Sequence, residues 1–162
     1  PRADRQPAPP GHPRLHPRAR PLILYVEDHP ANVMLMRRVL AALGDFDVYV
    51  GETGPLGLTM ARDIRPDLIL LDINLPGLDG FQVMAALSDD EATRTIPVVA
   101  VTANASTRDR TRGGQAGFVD YLTKPLDVPS LAATLNRVLG EGAATDRRSA
   151  PPPDPGRAAR RA

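Results

Sequence analysis

The feature that most constrains this chain is a set of short apolar runs that stop abruptly at acidic residues. Leu22-Ile23-Leu24-Tyr25-Val26 breaks off at Glu27-Asp28, and Leu68-Ile69-Leu70-Leu71 breaks off at Asp72. Runs this short do not make helices. With no polar alternation they read as strands covered on both faces, the mark of a parallel sheet flanked by helices.

The segments between them carry helical periodicity. Pro30 suits a first helical turn, Val33, Met34, Met36, Leu40 and Leu43 recur at spacings compatible with three and four, and Gly44 ends the stretch. A second strand is predicted over 46–50 and a weaker helix over 54–64, closed by Arg65-Pro66. A third strand spans 67–72. Beyond it the pattern predicts a helix over 81–87, a strand over 96–101, a polar helix over 106–116, a strand over 118–122 and a last helix over 128–139. Strands and helices alternating in this way predict a doubly wound α/β fold.

Composition sets the limits of the folded unit. The chain has 162 residues, enough for one domain with a proper core. Residues 1–20 hold five Arg and six Pro, residues 141–162 five Arg and four Pro, and both ends are nearly free of large apolar residues. Such segments cannot bury enough surface to offset their ordering entropy, so both read as disordered tails around a folded unit at 21–140. The overall charge of +1 conceals an acidic body, with ten basic and fifteen acidic residues in 21–140. The tails lack Lys and aromatic residues, so linker tails are favoured over nucleic-acid or lipid-binding arms. Cysteine is absent, which excludes disulfides, thiolate metal sites and a Cys nucleophile. No apolar run reaches the roughly 18 residues of a membrane span.

In open parallel sheets, ligands sit beyond the carboxyl ends of the strands, where the winding reverses. The first strand delivers Glu27 and Asp28 there, the third Asp72 and then Asn74, the fourth Thr102, and the fifth is followed by Thr123-Lys124-Pro125. Clustered carboxylates repel one another unless a cation neutralises them, and hard oxygen donors favour Mg²⁺. A carboxylate can attack phosphorus to give an aspartyl phosphate, while a metal, a Lys and a hydroxyl neutralise and position the phosphoryl group. Glu27, Asp28, Asp72, Thr102 and Lys124 each have a job in that one reaction.

The segments Leu24-Tyr25-Val26-Glu27-Asp28, Leu70-Leu71-Asp72-Ile73-Asn74-Leu75-Pro76-Gly77-Leu78-Asp79-Gly80, Val101-Thr102-Ala103 and Tyr121-Leu122-Thr123-Lys124-Pro125 resemble, in order and spacing, a two-component response-regulator receiver domain over 22–139. The resemblance implies a flavodoxin-like five-stranded sheet of order 2-1-3-4-5. It implies Asp72 as phosphoacceptor, Asp28 and Asp72 as Mg²⁺ ligands, Glu27 as a ligand through water, and the Asn74 backbone carbonyl completing the protein's share. Thr102 and Lys124 would contact the phosphoryl group, and Tyr121 falls at the family's switch aromatic. It further implies a sensor histidine kinase or histidine phosphotransfer protein as donor, a cytoplasmic location, and a signalling switch rather than an enzyme. Its output face would be formed by the fourth helix, the fifth strand and the last helix. No nucleic-acid binding or membrane insertion is expected. By the same resemblance Lys124–Pro125 is a cis candidate, although trans is the default for sequence alone.

Departures and rivals belong beside this reading. Glu27 stands where Asp is more usual, and Gly113-Gly114 suggests early fraying of the fourth helix. Asn74 and Asn104 fall two positions beyond Asp72 and Thr102, where the family tunes the lifetime of the aspartyl phosphate. An aspartate-nucleophile phosphatase would want an acid where Asn74 stands. A dinucleotide enzyme would want a Gly-rich turn where Glu27-Asp28-His29-Pro30 stands. A receiver-like module that is never phosphorylated is the remaining rival. His29 reads as solvated, as do Arg108, Arg110 and Arg112. A chain that opens without Met on a Pro/Arg-rich stretch reads as the C-terminal receiver of a hybrid sensor kinase, with a free single-domain regulator as the alternative.

Overall fold

The apolar runs do form strands, and their two faces feed two separate cores. The computed structural model describes residues 20–103 and 116–148, with residues 141–148 by backbone alone. Strands β1 (Leu22–Val26), β2 (Asp47–Gly51), β3 (Leu68–Asp72), β4 (Val98–Thr102) and β5 (Asp120–Thr123) make one sheet in the order β2-β1-β3-β4-β5. Every pairing is parallel. Among the described residues the helices are α1 (Pro30–Leu43), α2 (Gly54–Ile64), α3 (Gly80–Asp89) and α4 (Val128–Arg148). This is the expected doubly wound, flavodoxin-like topology.

Successive strand residues point to opposite faces. On one face Ile23, Tyr25, Leu68, Leu70, Val99 and Val101 pack with Met36 and Leu40 of α1 and Leu131, Leu135 and Val138 of α4. On the other, Leu24, Val26, Ile69, Leu71, Val98 and Ala100 pack with Ala61 of α2 and Val83, Met84 and Leu87 of α3. Burying each Val, Leu or Ile side chain contributes about 1.5–3 kcal/mol, so β1, β3 and β4 anchor both layers. The edge strand β2 alternates exposed and half-buried residues, as a strand covered less completely must.

Helix starts follow from local chemistry. Asp79 accepts the Gln82 N–H while the Gln82 side chain accepts the Asp79 N–H, a reciprocal cap on α3. Thr53 caps α2, and Asp127 accepts the Ser130 N–H (2.9 Å) at the head of α4. Pro30 opens α1 as expected, without a side-chain cap from His29.

Several boundaries differ from the sequence expectation. The last helix was expected to end at residue 139 but its backbone continues to Arg148. Gly140 and Gly142 each cost up to about 1 kcal/mol relative to Ala, yet keep the backbone N–H that continues a helix, and no Pro intervenes before Pro151. β5 begins at Asp120 rather than at Phe118; just before Phe118 the backbone passes through Gly117 at φ 94, which is not an extended conformation. The helix expected over 106–116 lies, apart from Ala116, outside the described residues, as do Gly113-Gly114, Asn104, and residues 1–19 and 149–162 of the expected tails.

β5 is fastened to α4 by one carboxylate. Asp120 accepts from the Tyr121 N–H (2.8 Å), the Thr134 hydroxyl (2.7 Å) and the Arg137 guanidinium. Burial pushes its pKa up, but the Thr134, Tyr121 and Arg137 donors outweigh burial and hold it below the ordinary range. A carboxyl depressed in the folded state contributes stability above its unfolded pKa and loses it as pH falls through the folded value. Asp120→Ala should therefore cost about 1 kcal/mol near neutral pH, once screening of the partly exposed pair is allowed for. In urea denaturation, the gap between variant and parent should close below about pH 4.

Candidate functional site

Because the winding reverses between β1 and β3, their C-terminal ends border the crevice where an open parallel sheet binds ligands. Glu27 directly follows β1, and its N–H still donates to the Gly51 carbonyl of β2 (3.0 Å). Its side chain is 1% exposed. Asp72, the last residue of β3, is 3% exposed. Asp28, one step further along the chain, is exposed. One carboxylate oxygen from each of Glu27, Asp28 and Asp72 lies within 4.8 Å of the others.

Lys124 ties this cluster together. Its Nζ donates to Glu27 Oε2 at 2.6 Å and to Asp72 Oδ2 at 2.8 Å. Its backbone N–H donates to the Thr102 carbonyl (2.8 Å), so the segment after β5 is held to the end of β4. Thr102 itself is buried at that end. The Lys124–Pro125 peptide bond is cis.

The two buried carboxylates are treated differently. Burial pushes Glu27 up, but Lys124, the His29 N–H, the Tyr25 hydroxyl and the Asn32 side chain together hold its pKa below the ordinary value. Asp72 is raised: burial and the charge of Glu27 prevail over Lys124 and the Asn74 N–H. For Lys124, burial works against the charged form, but Asp72 and Glu27 outweigh it and raise its pKa. The cluster is thus an ammonium between a buried carboxylate well supplied with donors and a less satisfied one.

Local backbone geometry presents Asp72. Its Oδ1 accepts the Asn74 N–H (2.8 Å), a side-chain turn that caps the loop. The Gly80 N–H donates to the Ile73 carbonyl (3.0 Å), and α3 begins so close that a Cβ at Gly80 would lie 2.6 Å from Asp72 O and Ile73 Cα. No side chain fits there. Tyr121, on β5, is half-buried, with its ring edge-to-face on Phe118 at 5.6 Å; Phe118 in turn meets Phe81 of α3 at 5.9 Å.

The residues expected to form the site are therefore brought to one sheet edge: Glu27, Asp28, Asp72, Asn74, Thr102 and Lys124, with Tyr121 on the adjoining strand. Tyr25, Asn32 and Gly80 were missed. For Tyr25 a signal existed: on a strand it shares a face with Glu27, two residues on.

Comparison with known proteins decides the family. The pattern described as "Response regulator receiver domain" matches residues 23–136. The chain belongs to this family. It is 40% identical over 119 residues to the polar-differentiation response regulator DivK of Brucella anthropi, covering 74% of this chain and 96% of DivK. It is 47% identical over 105 residues to the response regulator PleD of Caulobacter vibrioides, covering 65% of this chain, but spans only 23% of PleD's length. In structure it is similar to the receiver domain of sensor histidine kinase PA1611 from Pseudomonas aeruginosa, with TM-score 0.69 and 38% identity, covering 75% of this chain and 99% of that one. That domain was crystallised with magnesium coordinated in its active-site cleft. As a receiver domain, the chain belongs to a family of two-component signalling modules that are generally phosphoacceptors, and no described helix is long and apolar enough to cross a membrane.

The fit at Gly80 gives a direct test of how α3 is held against the end of β3. Gly80→Ala forces a Cβ against the Asp72 carbonyl and the Ile73 Cα, and should destabilise the domain by about 1–3 kcal/mol in urea denaturation.

Proposed function

We propose that Asp72 is the phosphoacceptor of this receiver and that Lys124, Thr102 and Tyr121 couple its modification to a partner-binding face. The observation that carries this reading is the Lys124 ammonium, 2.8 Å from a buried Asp72 that sits in one cluster with Glu27 and Asp28. A structural ion pair would not call for two further carboxylates beside it.

The donor set suits Mg²⁺: three carboxylates against one ammonium leave an excess of negative charge on hard oxygen ligands. Asp28, Asp72 and the Asn74 carbonyl would hold the ion, with Glu27 acting through water, and when bound it would neutralise charge on the phosphoryl oxygens. The chain's own residues do the rest. An Asp72 oxygen attacks the phosphorus of a phosphohistidine on a sensor kinase or phosphotransfer protein. The new O–P bond forms as the P–N bond breaks, and the imidazole leaves with the electron pair and takes up a proton. Lys124 pairs with the transferred charge and the Thr102 hydroxyl donates to a phosphoryl oxygen. Tyr121 then follows Thr102, shifting the face made by β5 and α4 toward its partner-binding form. We place this switch in the cytoplasm.

Incubation with phosphoramidate and Mg²⁺ should give an acid-stable, hydroxylamine-labile adduct at Asp72 that does not form when the metal is chelated beforehand and is absent in Asp72→Asn. No adduct on the parent chain would overturn the assignment, and turnover of added phosphomonoesters would point to a phosphatase instead.

Coupling has its own test. Tyr121→Ala should still be phosphorylated but lose the phosphorylation-dependent gain in binding to its partner; an unchanged gain would remove Tyr121 from the pathway.

A further inference from the structure

One buried polar group near the site has no part in the reaction as drawn. Tyr25 is fully buried, its ring packed in the core between β1 and helices α1 and α4. Phe would fill the same space. The hydroxyl is what distinguishes the two, and it donates to Glu27 Oε2 at 2.9 Å. A buried hydroxyl is worth keeping only where it finds a partner.

We propose that Tyr25 is a positioning residue: its hydroxyl anchors the Glu27 carboxylate and thereby sets how Lys124 is shared between Glu27 and Asp72. The proposal rests on the phosphoacceptor reading of Asp72.

The geometry supplies both the mechanism and its sign. Glu27 Oε2 accepts from Tyr25 and from Lys124, while Oε1 accepts the His29 N–H at 3.0 Å. Both oxygens are pinned, so the carboxylate cannot rotate away from the ammonium. Lys124 is 2.6 Å from Glu27 and 2.8 Å from Asp72, so it is held at least as closely by the residue that does not react. If Glu27 were freed, Lys124 would settle on Asp72 Oδ2 and cover an oxygen that phosphorus must approach. Tyr25 thus keeps the acceptor partly uncovered. The same argument gives a reason for Glu rather than Asp at position 27. The strand places residues 25 and 27 on one face, and the longer side chain can fold back to the Tyr25 hydroxyl while still meeting Lys124. An Asp is shorter by one C–C bond, about 1.5 Å, so it could not hold both contacts.

The test is a double-mutant cycle on the initial rate of Asp72 phosphorylation by phosphoramidate and Mg²⁺, using the full chain, Tyr25→Phe, Glu27→Asp and the double variant. Tyr25→Phe should slow adduct formation roughly tenfold. In the Glu27→Asp background the same change should alter the rate by less than about twofold. A purely structural role for Tyr25 would lower the thermal midpoint in both backgrounds and slow both equally. That result, or a Tyr25→Phe rate equal to the parent's, overturns the proposal. NMR separates this failure from that of the underlying reading. If the parent forms no adduct, the phosphoacceptor assignment falls, but the pairing is still decided by the His29 amide and Lys124 ammonium resonances. Both should move in Tyr25→Phe, and unmoved resonances sink the pairing.

Discussion

A single ammonium makes the sheet edge tolerable. Glu27 and Asp72 are almost wholly removed from water, and each would be costly to leave ionised and alone. Lys124 answers both at once, from 97 and 52 residues away in sequence. The strand order makes this possible. β5 lies two strands from β3 and three from β1, or about 10 and 14 Å at the usual strand spacing. A side chain leaving the end of β5 must therefore cross β4 to reach the acids. The Lys124 N–H bond to the Thr102 carbonyl starts that crossing over β4, and the long aliphatic stem completes it. A shorter cation at this position would strand two carboxylates.

The compensation is incomplete. Three carboxylates meet one ammonium, and the deficit falls unequally: Glu27 is held ionised by four donors, while burial and Glu27's own charge push Asp72 up. A core optimised for stability would not leave that imbalance. Sites optimised for chemistry commonly do, because residual negative potential is what attracts a cation and what a later charge change can relieve. The rest of the fold supplies the rigidity to keep such a cluster together. β1, β3 and β4 are covered on both faces, and the Gly80 approach locks α3 against the Asp72 backbone.

What could be read in the sequence follows from this architecture. Strands buried on both faces show as unbroken apolar runs, so β1 and β3 were visible from composition over five residues each. Their ends were visible because acids cannot continue such a run, and the site residues stand at those ends. Features set by tertiary geometry were not visible. Nothing local marks Gly80 as the point where a helix meets a strand's backbone, since Asp79-Gly80 reads equally well as a turn. Tyr25 stands inside an apolar run that its ring alone explains, and only the strand face it shares with Glu27 points to its hydroxyl. The end of the last helix depended on whether two glycines outweigh their Ala neighbours. Each Gly costs up to about 1 kcal/mol relative to Ala, a penalty small enough for context to override, so pattern alone does not decide it.

The route from the acid cluster outward is also physical. Lys124 is bound through its backbone to Thr102, and Thr102 pairs with Thr123 in the β4–β5 ladder, two residues past Tyr121. Tyr121 leans edge-to-face on Phe118, which leans on Phe81 at the start of α3. Such an aromatic pair is worth about 0.5–1.5 kcal/mol beyond its buried area. That sets the scale on which the ring's position can be rebalanced. One charge-assisted hydrogen bond gained at a phosphoryl oxygen is of the same size or larger. Under the proposed switch, a chemical change at Asp72 would need to redirect only a contact or two near Thr102 to move Tyr121, without disturbing the two cores that hold the sheet.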